Sequence, residues 1–130
     1  MASKKNKPCM IGMIVNGTET YAIDGEKIRI ENPARKNELI AEVPRSKVED
    51  VNLAVLSAEK AFQQWKSIPS IERGRAMLKI ADLLESETEN IACIVATETG
   101  NAIKTQSRPE AKNAADVFRY FGGLAGELKG

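Results

Sequence analysis

The sequence predicts an α+β segment, a ribbon of short antiparallel strands followed by about four helices. Three observations predict it. Between residues 12 and 43, short apolar stretches are separated by turn residues such as Asn16-Gly17, Asp24-Gly25 and Asn32-Pro33. From Val51 onward, apolar residues recur at steps of three and four, the period of a helix. The longest such signal runs from Ser70 to Gly100, where Met77, Ile80, Ala81, Leu84, Ile91 and Val95 form one stripe. Arg75, Lys79, Asp82 and Glu89 fall on the opposite side, so the stripe needs a partner surface.

Residues 1–9 are polar and lysine-rich and read as a flexible N-terminus, ahead of one incomplete domain over residues 10–130. Gly12 to Val15 reads as a strand closed by Asn16-Gly17, a dipeptide that tolerates the positive φ of a tight hairpin, with Thr18–Ala22 returning antiparallel. Ile23-Asp24-Gly25 supplies a second turn, and Lys27–Glu31 alternates polar and apolar side chains, as a strand with one buried face does. Leu39–Val43 makes a further strand that Pro44 stops. This ribbon, residues 12–43, has few large side chains and needs a second layer.

The helical region spans residues 46–130. Ser46 is placed as an N-cap with Glu49 completing a capping box. Val51, Val55, Ala58, Phe62 and Trp65 then form an apolar ridge whose expected partner is the 70–100 stripe, with Trp65 as a core residue. Ser70 after Pro69 reads as the next N-cap, and Gly100 as a left-handed stop. Ser86-Glu87-Thr88-Glu89 has the form of another capping box, which divides the stretch into helices at 71–86 and 87–99; one curved helix is the alternative. Asn101–Arg108 reads as irregular. Pro109 suits a first helical turn, with Ala111, Ala114, Phe118, Phe121, Ala125 and Leu128 at helical spacing. Gly122-Gly123 predicts a kink or a close backbone contact in that helix.

Composition narrows the function classes. The chain has 130 residues, a net charge of +1 and 28% charged residues, which disfavours a polyanionic partner: no nucleic acid is expected. No apolar run approaches the ~18 residues of a membrane span, and the first thirty residues lack an apolar signal core, so a cytoplasmic protein with no membrane partner is expected. Cys9 and Cys93 read as free thiols, neither a disulfide framework nor a metal pair. With no histidine, the usual general base and the commonest metal ligand are missing, and no glycine-rich phosphate loop is present. On its own residues the chain looks catalytically empty.

Four stretches nevertheless resemble the start of an NAD(P)-dependent aldehyde dehydrogenase. Ile14-Val-Asn-Gly17 resembles the family's opening hairpin, and Ile30-Glu-Asn-Pro-Ala34 with Ile40-Ala-Glu-Val43 its asparagine-proline turn between strands. Ser46 to Trp65 is similar to the first long helix. Ile71-Glu-Arg-Gly-Arg75, Ile80-Ala-Asp-Leu-Leu84 and Glu98-Thr-Gly100 resemble the next two, and Phe118-Arg-Tyr-Phe-Gly-Gly-Leu-Ala125 the one after. The likeness covers about residues 12–130. It implies part of an α/β coenzyme-binding domain, NAD or NADP as coenzyme, a small-molecule aldehyde as substrate and a homo-oligomer.

Family members are several times longer. In them a cysteine attacks the aldehyde, hydride passes to the nicotinamide and water hydrolyses a thioester. The residues for those steps lie beyond the matched part, so the resemblance assigns no catalytic or coenzyme-binding residue here, and Cys93 reads as a helical packing residue. It does imply a monovalent cation site at Ile30, Glu31 and Glu98. A physical reason points the same way, since Glu98 sits in a last helical turn, where the helix dipole disfavours a carboxylate. Backbone carbonyls and a carboxylate are ligands that suit a hard cation. The other reading of Glu98 is an exposed side chain paired with Lys104 or water. As a whole, the chain reads as the N-terminal portion of an aldehyde dehydrogenase, inactive alone, or as a stand-alone helical interaction or oligomerisation module; a small enzyme complete in itself ranks last.

Overall fold

In the computed structural model, residues 9–127 are described, and the turn chemistry of the N-terminal half shapes what forms there. Strand β2 (Met13–Val15) pairs antiparallel with β3 (Thr18–Thr20), with Val15 opposite Thr18. Asn16 and Gly17, at φ 53° and 72°, make the turn. Gly25, at φ 73°, closes the next turn with its N–H donating to the Ala22 carbonyl at 2.9 Å. Strand β4 (Lys27–Glu31) then runs antiparallel to β5 (Leu39–Pro44), from Lys27 opposite Pro44 to Ile30 opposite Ala41. Between them Asn32 folds back, its side-chain oxygen accepting from the Ala34 N–H at 2.9 Å.

Two features of the ribbon differ from expectation. Most of residues 1–9, read as a flexible terminus, lie outside the described residues, but Cys9 already belongs to a strand, β1 (Cys9–Met10). It pairs parallel with β5, giving a mixed sheet of order β1-β5-β4 beside the separate β2-β3 hairpin. A two-residue strand carries too little periodicity to be seen in sequence. The alternating strand Lys27–Glu31 does not bury a whole face either, since Ile28 is 43% exposed.

Helix α1 (Val48–Trp65) starts by a different device from the one expected. Ser46 Oγ lies against Met13 Sδ, while the Asp50 carboxylate accepts from the Lys47 N–H at 2.9 Å and the Ile23 N–H at 3.0 Å. Asp50 is 6% exposed, so one buried carboxylate both caps the helix and ties it to the turn after β3. The helix packs through Asp50, Ala54 and Ser57, whereas Val51, Val55, Phe62 and Trp65 of the predicted ridge are exposed. The chain divides into two compact units at this helix, one through Phe62 and one from Gln63.

In the second unit, α2 (Ser70–Ser86) and α3 (Thr88–Thr99) are separate helices joined at Glu87, as the sequence predicts. The caps are not the predicted ones. Pro69 occupies the N-cap of α2, so Ser70 lies within the helix, and neither N-terminus has a side-chain cap. Ser86 Oγ donates backward to the Leu83 carbonyl at 2.8 Å and completes no capping box. Gly100 closes α3 in the left-handed conformation at φ 76°.

Residues 103–107, read as irregular, form a π-helical turn (Ile103–Ser107) that runs straight into α4 (Arg108–Leu124), with Pro109 in the first turn as expected. Helix α4 is the main partner of α2 within this unit. Its buried face is Ala111, Ala115 and Gly122, so Phe121 of the predicted stripe is turned outward at 53% exposure; Leu128 lies outside the described residues. The predicted close contact at the glycine pair holds for Gly122: a Cβ there would lie 3.1 Å from the Gly74 carbonyl, and one on Gly74 would lie 2.6 Å from the Gly122 carbonyl. The apolar core among the described residues is made of alanines: Ala22 and Ala41 in the first unit, and Ala81, Ala92, Ala111 and Ala115 in the second.

Candidate functional site

The residues assigned to a cation lie in different compact units. Ile30 and Glu31 end β4, where the ladder with β5 shifts register between them. Such a shift breaks the regular use of backbone groups at the two positions whose carbonyls the resemblance assigns. Glu31 is exposed and its Oε1 is 3.9 Å from Arg29 Nη2, a loose pair. Glu98 is exposed in the last turn of α3, two residues before the left-handed Gly100. Its alternative partner Lys104 follows in the π turn, and no Glu98–Lys104 ion pair occurs among the described residues. Nor do any three His, Cys, Asp or Glu side chains gather as a metal-binding cluster among them.

The two thiols are free and exposed. Cys93, read as a packing residue, is therefore not buried in the helix contacts of its own unit. The small side chain of Ala92 next to it is the one that is buried.

Charged side chains that the stripe places opposite the core are instead engaged across helices. Arg108, at the start of α4, grips Glu89 of α3 with Nε–Oε1 at 2.5 Å and Nη2–Oε2 at 2.8 Å. This two-pronged bond holds the Glu89 carboxyl below the usual carboxylate range and raises the Arg108 guanidinium. Arg119 Nη2 donates to Asp82 at 3.0 Å and Glu85 at 2.8 Å, which raises its own pKa. In the first unit Lys47 bonds Asp24 and, at 3.2 Å, Glu26; the bond to Lys47 lowers Asp24 and raises Lys47. Sequence reasoning missed these partners because Arg119 and Asp82 are 37 residues apart and no local pattern links them. They organise structure; none of them pairs a nucleophile with a base.

Likeness to known proteins supplies what the side chains do not. The pattern of the aldehyde dehydrogenase family matches residues 21–130. The betaine aldehyde dehydrogenase of Bacillus subtilis is 35% identical over 118 residues, covering 83% of this chain and 24% of that protein. A crystal structure of an NAD-dependent aldehyde dehydrogenase from Sinorhizobium meliloti superposes with a TM-score of 0.90 at 32% identity, covering 99% of this chain and 26% of that one. A salicylaldehyde dehydrogenase from Pseudomonas putida, solved with salicylaldehyde, gives 0.87 at 27% identity, covering 93% and 25%. The chain spans about a quarter of the length of the relatives it matches. Its order of short strands then helices is thus the order found in part of those enzymes, and the chain belongs to the aldehyde dehydrogenase family.

Proposed function

We propose that this chain is the N-terminal part of the coenzyme-binding domain of an NAD(P)-dependent aldehyde dehydrogenase, and that the 130 residues alone neither bind coenzyme firmly nor turn over substrate. In the complete enzyme the reaction is oxidation of a small-molecule aldehyde to a carboxylic acid, in a cytoplasmic homo-oligomer. One observation carries the reading: a chain superposing almost wholly on a quarter of an aldehyde dehydrogenase leaves every large apolar residue of α1 exposed. An amphipathic helix normally buries its apolar face, so α1 has the surface of a helix meant for the interior of a larger body. NAD as coenzyme is supported by the Sinorhizobium meliloti enzyme, described as NAD-dependent, and an aldehyde substrate by the salicylaldehyde complex.

The test is to mix the purified chain with benzaldehyde and NAD or NADP and follow absorbance of the reduced nicotinamide, with calorimetric titration of each coenzyme alongside. No turnover and no saturable heat are expected; turnover would overturn the reading. Reading the coding frame past Gly130 separates this from a stand-alone interaction module. A frame that continues through a coenzyme loop, a glutamate and a cysteine supports the enzyme, and an immediate stop favours the module.

The same reading places a monovalent cation at Ile30, Glu31 and Glu98. It is supported by the register shift at Ile30/Glu31 and by a carboxylate in the unfavourable C-terminal turn of α3. Potassium chloride should raise the melting temperature over tetramethylammonium chloride at equal ionic strength, and Glu98→Ala should abolish the difference. Equal melting in both salts rejects the site.

A further inference from the structure

No further inference is drawn: the strongest candidate, the apolar stripe of Val117, Tyr120, Phe121 and Leu124 exposed along α4, carries nothing because the structure does not show what covers it and the rest of the enzyme fold already proposed would account for it.

Discussion

Single carboxylates decide how the helices of this chain are held. Asp50 spends both oxygens on backbone N–H groups, Lys47 at the start of α1 and Ile23 in the turn after β3, from a buried position. Asp50→Ala removes both acceptors and is expected to cost about 1–2 kcal/mol in urea unfolding, the usual range for a lost helix cap. Ser46→Ala and Glu49→Gln, at the positions the capping-box pattern selects, should shift the midpoint little. A second carboxylate, Glu89, ties stability to pH. The Arg108 fork lowers its pKa in the folded chain, so its contribution is present above the ordinary glutamate range and is lost as pH falls through the depressed value. Glu89→Gln should therefore lower stability at neutral pH, with the gap closing in acid and narrowing in high salt, because the pair is exposed. Parallel urea titrations across pH read this directly.

At the level of elements, the α2–α4 contact works because two glycines meet where side chains would collide. Gly74→Ala would put a Cβ 2.6 Å from both the Gly122 carbonyl and Ala125 Cβ. Neither atom is the end of a flexible side chain, so the helices must separate, at an expected cost of about 1–3 kcal/mol. The neighbouring Gly123 has nothing within 4 Å of an added Cβ. There alanine should stabilise by about 0.5–1 kcal/mol, since glycine is the poorer helix former. Opposite signs at these two glycines, read by thermal melts, would establish the α2–α4 interface; equal signs would reject it. The glycine pair was legible in sequence as a close contact, and Gly74 was not singled out. What distinguishes Gly74 is the approach of α4, nearly fifty residues away in the chain. The π turn at Ile103–Ser107 was missed for a related reason. Its residues carry neither apolar periodicity nor helix-forming bias, and the turn is in contact with both α3 and α4.

For the whole molecule, the balance of buried and exposed surface is the dominant fact. The apolar core among the described residues is alanine, while Val51, Leu53, Val55, Leu56 and Trp65 of α1 and Val117, Tyr120, Phe121 and Leu124 of α4 are exposed. Tyr120 and Phe121 meet only edge to face, with centroids 5.3 Å apart. A core of small side chains contributes little of the roughly 25 cal/mol per Å² that apolar burial supplies. The isolated chain is therefore expected to bind a hydrophobic dye strongly and to elute in gel filtration as concentration-dependent assemblies. Replacing Val55, Leu56 and Trp65 together by serine or glutamine should reduce both signals. A monomer with no dye binding would show that these faces are covered in some other way.

By itself the sequence determined the class of the fold, because the signals are local. Asn16-Gly17, Gly25 and Gly100 have the positive φ their types suggest, and the helical periods of α1 to α4 follow from residues three and four apart. It also carried the family, through the order of its short motifs. Tertiary structure alone decided which carboxylate caps α1, which face of α4 is buried, and that α2 rests on α4. Each of these depends on what approaches from elsewhere in the chain. A helical pattern states that a face is apolar, but which apolar face is covered depends on close approach, and here that is set by Gly74 against Gly122.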